Sequence, residues 1–312
     1  MSDNNNNDPL LDYLNKDNSN SSQEFQHIGN LRKKVDESVL NPVSNVTEYL
    51  EAPLHWLPMG KFYKPGTHIA VRPAKVGEIQ AFSTMDEANP YDRSVKMTEM
   101  LKSTVRVTYA DGTIGTYEDV YSFDKLALVV FVSRVTKQKA KALSEKVTCH
   151  MCNEENLVNL TPENFEFFQS DEILDEFFNA EIGGYTIIME NGTTINMVPP
   201  TIKLEDSLYA FTLRKAAKKE KPNVAFMTVG AWLAPKQNMT DKDWDALLFE
   251  FTRMDEDKWD IIDDVMKKGK YGISGLKKKC RCGTEVRADF TFPGGLRGLF
   301  ATPGALQALV KK

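Results

Sequence analysis

Four cysteines are the residues of this sequence whose type and spacing could do chemistry. They form two close pairs, Cys149 with Cys152 in the pattern CxxC and Cys280 with Cys282 in the pattern CxC, and the 312 residues contain 4 cysteines in all. A lone thiolate is costly to bury, so two tight pairs are most simply explained as four ligands of one metal ion. Four thiolates fill a tetrahedron and leave no position for water. We therefore predict a structural zinc site.

Disulfide, redox and metal-free interpretations of the cysteines stay open. A redox CxxC opens a helix after a strand, whereas here a polar turn at 153–156 follows the first pair. Disulfides need an oxidising compartment, and residues 1–10 carry no basic segment followed by an apolar one, as a secretory leader would. His150 could replace one thiolate, but a solvent-facing turn histidine is the simpler interpretation.

Strands are expected on both sides of the cysteines. The dipeptides Asp-Gly at 111–112 and Asn-Gly at 191–192 lie between alternating segments and predict two β-hairpins. Residues 157–160 and 165–168 follow the first cysteine pair and predict short strands of a small ribbon. A further strand should lead into Cys280.

Helices are predicted from apolar periodicity. A helix over 123–135, capped by Ser122 and with Asp124 at the favourable end of its dipole, is apolar nearly all round and should be buried. A second apolar run at 225–233 predicts another core helix. Residues 240–266 predict one long amphipathic helix.

An internal repeat organises these elements. Residues 66–73 and 192–199 share the pattern Gly-Thr-x-Ile-x-(Val/Met)-x-Pro, and each copy leads through helices to a cysteine pair. We predict an α/β (α+β) fold of two degenerate lobes, each a hairpin plus helices, bridged by a four-cysteine zinc ribbon. A disordered N-terminal arm precedes them.

The predicted domain boundaries follow from this arrangement. They are 1–45 (disordered Asn-rich arm), 46–148 (first α/β lobe), 149–168 (first half of the zinc ribbon), 169–275 (second α/β lobe), 276–292 (second half of the ribbon) and 293–312 (C-terminal docking segment). The arm is either a solvated tail or a segment that orders on a partner through its apolar cluster at 10–14. The C-terminal segment either packs on the core of the protein or binds a partner, and we favour the partner.

Composition and motifs argue against several function classes. The formal net charge of -5 disfavours general binding to nucleic acid or an anionic membrane, and no apolar run approaches the about 20 residues of a membrane span. No phosphate-binding loop, dinucleotide fingerprint or nucleophile elbow occurs. Acidic clusters at 255–257 and 263–264 fit a solvated helix face. We predict that the protein is not an enzyme.

Basic segments support one rival function. They lie at 137–141, 214–221 and 267–281, the last beside a cysteine pair, as in zinc ribbons that bind nucleic acid. They lack interleaved aromatic residues, so solvated helix faces explain them more simply. Binding to nucleic acid is therefore not expected.

Three segments carry a resemblance to a known family. They are Leu-Pro-x-Gly-Lys-Phe-Tyr-x-Pro-Gly at 57–66 with Ala-Val-Arg-Pro at 70–73, Tyr-Ser-Phe-Asp-Lys-Leu at 121–126, and the CxxC pair at 149–152. With them the chain resembles the T4-type tailed-phage baseplate hub and hub-assembly family, over roughly residues 53–300. The hairpin at 111–112 looks like an insertion, and CxC replaces the more usual CxxC.

The resemblance implies a non-enzymatic role in building the baseplate hub of a contractile-tail phage. Expected partners are other baseplate hub, wedge or tail proteins, and self-association is left open. The expected location is the virion tail baseplate, with the host cytoplasm during assembly. The alternatives are a hub-assembly factor absent from the mature virion and a zinc-ribbon protein that binds nucleic acid.

Overall fold

The computed structural model describes residues 49–137, 143–220, 223–292 and 295–300. The predicted arm at 1–45 lies outside these residues, as does most of the 293–312 segment. Within them the chain forms helices and antiparallel sheets together with a cluster of the four cysteines, which confirms the mixed α/β fold class.

Seven α-helices occur in the described residues. They are α1 Val76–Ser83, α2 Pro90–Thr104, α3 Lys125–Thr136, α4 Ile202–Ala217, α5 Val224–Leu233, α6 Asp241–Phe251 and α7 Glu256–Lys268. The predicted long helix over 240–266 is wrong, because α6 and α7 are separate. Asp255 adopts an extended conformation before α7, and the acidic Glu256 and Asp257 lie in its first turn, where the helix dipole favours negative charge.

Four antiparallel sheets contain the strands. The strands are β1 Leu50–Ala52, β2 His68–Val71, β3 Val105–Thr108, β4 Ile114–Gly115, β5 Ser144–Thr148, β6 Glu155–Asn159, β7 Phe165–Phe167, β8 Phe178–Asn179, β9 Gly184–Ile188, β10 Thr194–Met197, β11 Ile273–Lys279 and β12 Glu285–Ala288. The strand orders are β1-β2-β3-β4, β10-β9-β8, β12-β11-β7 and β5-β6. Both predicted hairpins are confirmed as β3–β4 and β9–β10.

The main core surrounds α3, whose residues 127–133 are all buried, as the apolar run predicts. Sheet β1–β4 packs against it, and so do both cysteine hairpins, β5–β6 and β11–β12. A second core lies between α5, α7 and sheet β8–β10. Both cysteine pairs are thus attached to the first core in space, although the second pair follows the second lobe in sequence.

The second lobe is a long segment of the chain whose first and last residues lie next to each other. Strand β7 leads into it, strand β11 leaves it, and the two strands pair antiparallel. The Phe168 N–H donates to the Gly272 carbonyl over 3.1 Å, immediately beyond that pairing. This closure holds the second cysteine hairpin beside the first one.

The repeat is matched locally in the two lobes. Gly66 and Gly192 have φ values of 79° and 81°, and each comes two residues before the corresponding strand, β2 or β10. Helix α3 packs on β2, and α5 packs on β10. Superposition of the complete lobes stays a prediction.

Residues 57–63 join the two lobes. Phe62 is 1% exposed and lies in the second core, where it makes edge-to-face contacts with Tyr185 and Tyr271, among other rings. The chain can enter this narrow space only because residue 60 is glycine. A Cβ atom there would lie 1.9 Å from the Leu54 carbonyl oxygen.

We expect Gly60→Ala to destabilise the protein by about 1–3 kcal/mol or more, because the added methyl group meets backbone atoms that cannot rotate away. Gly77→Ala is the matched control. No atom lies within 4 Å of its added Cβ, and it lies in helix α1, so a gain of up to about 1 kcal/mol is expected. Urea unfolding measures both, and equal effects would contradict the steric explanation.

Asp124 is the polar centre of the lobe junction. Its carboxylate is fully buried and accepts from the Met59 N–H over 2.8 Å and from the Tyr63 hydroxyl over 2.7 Å. Burial outweighs these two hydrogen bonds and raises the pKa of Asp124 to about 7. The predicted cap by Ser122 is wrong, because a 3₁₀ turn at Ser122–Asp124 precedes α3 and no side chain caps the helix.

Asp124 should make stability depend on pH. Its folded-state pKa of about 7 exceeds the reference value of 3.8, so the folded state retains a proton that the unfolded state loses. The resulting stability is full below pH 4 and lost as the pH rises through 7. Asp124→Asn should remove this dependence. The difference in unfolding free energy between variant and wild type should therefore change by at most about 4 kcal/mol between pH 4 and pH 7.

Guanidinium unfolding of both proteins at several pH values between 4 and 8 measures this difference. Glu181→Gln, at an exposed position, serves as the control and should follow the wild type. A wild-type protein and Asp124→Asn variant with parallel pH profiles would contradict the prediction.

The described part of the C-terminal segment packs on the main core. Leu299 and Phe300 are buried, and the Leu299 carbonyl accepts from the Ser133 hydroxyl over 2.6 Å. The ring of Phe300 contacts Phe82 at a centroid distance of 5.1 Å. Residues 296–300 therefore pack on the core of the protein itself, which was the less favoured of the two alternatives. The rest of the segment lies outside the described residues.

Candidate metal centre

The first cysteine pair lies on the turn of the β5–β6 hairpin. The Cys149 N–H donates to the Glu154 carbonyl over 2.9 Å, and the Asn153 N–H donates back to the Cys149 carbonyl over the same distance. Asn153 has a φ of 57°, a left-handed conformation that asparagine tolerates better than most residues. The pair lies between two strands rather than at the start of a helix, so the geometry expected of a thioredoxin-type redox motif is absent.

The second pair lies on the turn of the β11–β12 hairpin and repeats this arrangement. The Cys280 N–H donates to the Thr284 carbonyl over 2.8 Å, and the Gly283 N–H donates to the Cys280 carbonyl over 2.9 Å. Gly283 has a φ of 90°. In both turns a residue with left-handed backbone conformation directly follows the second cysteine.

The structure brings all four predicted ligands together. The four sulfur atoms lie within 4.8 Å of one another. The Sγ atoms of Cys149 and Cys282 are 3.7 Å apart, and those of Cys152 and Cys280 are 3.6 Å apart. A tetrahedron with metal–sulfur bonds of about 2.3 Å has sulfur atoms about 3.8 Å apart. A disulfide would need about 2.05 Å, and all four cysteines are free.

The cluster is half buried. Cys149 and Cys280 are buried in the main core, whereas Cys152 and Cys282 are exposed. His150 is also exposed and lies outside the sulfur cluster, as its solvent-facing interpretation predicts. The chemistry of the donor set suits a soft metal ion, since thiolates select zinc, iron or monovalent copper.

Electrostatics explains why a cation suits this cluster. Side-chain and backbone hydrogen bonds of Thr284 lower the pKa of Cys282 to about 6. At Cys152 a backbone hydrogen bond at Glu154 favours the thiolate, but the sulfur atoms of Cys282, Cys280 and Cys149 raise the pKa to about 12. An ionised Cys282 thus disfavours the thiolate of Cys152, and a bound cation would offset this repulsion.

Asn156 is a site residue that the sequence analysis missed. Its side chain is buried beside the cluster, and its amide donates to the Cys280 sulfur over 3.3 Å and to the Glu154 carbonyl over 3.0 Å. Such contacts orient metal ligands from outside the coordination sphere. A polar residue at an inward-facing strand position, four residues after Cys152, could have indicated it.

Some residues of the charged segments singled out in the sequence form ion pairs. Ion pairs join Arg214 to Asp241, Lys267 to Asp263 and Lys268 to Asp264. These pairs involve the first residue of the 214–221 segment, the first two residues of the 267–281 segment and both residues of the acidic pair at 263–264. The lysines of β11 are different, because Lys277 and Lys279 are exposed and form no ion pair within the described residues.

Comparison with known proteins finds no match: no protein-family model, no curated protein and no solved structure matches this chain. The resemblance to the baseplate hub family therefore stays a prediction. Among the described helices, none has the length and apolar composition of a bilayer span.

Proposed function

We propose that the protein is a structural scaffold in which Cys149, Cys152, Cys280 and Cys282 hold a zinc ion. The observation that carries this proposal is the cluster of four sulfur atoms from two hairpins, at separations that suit tetrahedral coordination. Four thiolates leave no open position, so the ion supplies stability and no catalysis. The scaffold is expected to have no enzymatic activity.

The identity of the metal can be tested directly. Elemental analysis of purified protein should give one zinc per chain, and cobalt substitution should give the absorption spectrum of a tetrahedral four-thiolate site. Iron in stoichiometric amount would replace zinc in the proposal. A metal-free protein that binds neither zinc nor cobalt would refute it.

The scaffold is proposed to belong to the baseplate hub of a contractile-tail phage, where it binds other hub, wedge or tail proteins. The support is the family resemblance, and several of its residues meet at one place. Phe62, Tyr63, Tyr121 and Asp124 of these motifs form the junction of the two lobes, together with the backbone of Met59. Residues that set how the two lobes pack also set the fold. A shared fold is what membership of a structural family would require.

Mass spectrometry of purified virions, with copy number, tests this proposal. A fixed number of copies per particle supports a hub component. Absence from virions whose assembly requires the protein supports the alternative, a hub-assembly factor. Absence from the virion together with assembly that proceeds normally without the protein would refute both.

Binding to nucleic acid is the second candidate, and one observation favours it. Lys277, Lys279 and Arg281 are exposed beside the second cysteine pair and form no ion pair within the described residues. Three positive charges on an otherwise acidic chain provide only weak electrostatic attraction for nucleic acid. A filter-binding assay should show no tight binding, whereas affinity that falls steeply with salt would favour this candidate.

A further inference from the structure

An aromatic pocket opens at the edge of the second core, away from the cysteines. Its volume is about 350 Å³, and its walls include Phe123, Phe168, Trp232, Met266, Lys270 and Tyr271. Pockets that bind ligands have volumes of about 300–1,000 Å³, so this one is at the small end of that range. It has room for one large side chain rather than for a folded element.

The pocket is held in shape by contacts behind it. Trp232 is 3% exposed, and its ring centroid lies 5.0 Å from that of Tyr271. The Tyr271 hydroxyl is 2.9 Å from that of Tyr185, which is fully buried. A preformed pocket loses little conformational entropy when it is filled.

Two phenylalanine rings at the pocket are incompletely covered by the protein itself. Phe123 is 36% exposed and Phe168 is 50% exposed. The Phe123 ring contacts the Tyr271 ring at a centroid distance of 5.5 Å. Adjacent exposed aromatic rings beside a pocket are typical of a protein interaction site.

A single positive charge lies at the pocket. Lys270 is exposed and forms no ion pair within the described residues, whereas Lys267 and Lys268 just before it are paired with Asp263 and Asp264. An occupant that combines an apolar side chain with a carboxylate would fill the pocket and pair with this charge.

We propose that this pocket docks one aromatic side chain of a partner protein, presented on a segment that carries an acidic residue beside it. The proposal rests on the proposed scaffold function, because it takes the partner to be a protein. It names the surface by which the scaffold would hold its neighbour. Phe123 and Phe168 flank the inserted ring, and Lys270 pairs with the adjacent carboxylate.

Three synthetic peptides test the proposal on the full-length, metal-loaded protein: GSDFDSG, GSKFKSG and GSDADSG. The methyl resonance of Met266, assigned with the Met266→Leu variant, reports occupancy of the pocket by NMR. GSDFDSG should shift it with saturation, and the other two should bind at least tenfold more weakly. Phe168→Ala should weaken GSDFDSG binding at least tenfold, and Lys270→Glu should reverse the preference between the acidic and basic peptides.

Phe249→Ala is the matched control, because this ring is 57% exposed on helix α6, outside the pocket. It should leave binding unchanged. No saturable shift at millimolar GSDFDSG, or equal binding of all three peptides, would overturn the proposal. Concentration-dependent dimerisation abolished by Phe168→Ala would also overturn it, because the occupant would then be a second copy. Peptide binding uses isolated protein, so its failure is separable from a failure to find the protein in virions.

Discussion

A strong chelator should lower the melting temperature of the metal-loaded protein and should loosen the whole folded body. The metal would join two turns whose cysteines are 128 positions apart in sequence, with the complete second lobe between them. Both hairpins pack into the main core through Val158, Leu276 and Val286. Loss of the ion therefore releases packed core strands together with the surface turns.

The size of this effect should be large. Structural zinc contributes about 10–16 kcal/mol of apparent binding free energy in small zinc-finger peptides. Here the cores remain as a second source of stability, so we expect a loss of about 5 kcal/mol or more on metal removal. Calorimetry with and without a chelator, on protein with a measured metal content, provides the comparison.

Cys280→Ser tests the same site genetically. It should abolish stoichiometric metal binding and reproduce the effect of the chelator, because it removes a buried ligand. His150→Ala is the matched control on the neighbouring turn, and it should retain both metal and stability, since His150 is exposed and outside the cluster. If the melting temperature of a metal-containing sample is unchanged after chelation, the site does not stabilise the fold.

Phe62→Ala should have the second-largest effect, a loss of about 3–5 kcal/mol. Phe62 comes from the first lobe but lies in the second core, with its ring centroid 5.5 Å from those of Phe178 and Tyr185 and 5.9 Å from that of Tyr271. Truncation leaves a cavity among aromatic rings that the rigid backbone around Gly60 cannot fill. The two lobes should then lose cooperativity with each other.

Hydrogen exchange and urea unfolding measure this effect. Protection should fall more in β9 and α5 of the second lobe than in α3 of the first. Phe249→Ala removes an equally large ring from an exposed position and should cost little. A loss below about 1 kcal/mol for Phe62→Ala would mean that the lobe junction does not depend on this ring.

Patterns that depend on neighbours in sequence were predicted well. Asp-Gly and Asn-Gly specify tight turns by their own backbone preferences, so the β3–β4 and β9–β10 hairpins follow without knowledge of the rest of the chain. The apolar run in α3 similarly identifies a helix with no polar face, which must be buried. Periodicity did not show the break between α6 and α7, because Trp259 and Ile262 continue the apolar pattern beyond it.

The sequence by itself predicted which four side chains come together, because cysteines in two close pairs on turns are most simply explained as one cluster. Only the tertiary structure decided that both pairs attach to the first core, that Asn156 contacts the Cys280 sulfur, and that the Asp124 carboxylate binds Met59 at the lobe junction. The physical reason is the range of the interactions. Turn and helix preferences act over a few residues, whereas the packing that places these groups joins residues 65–128 positions apart.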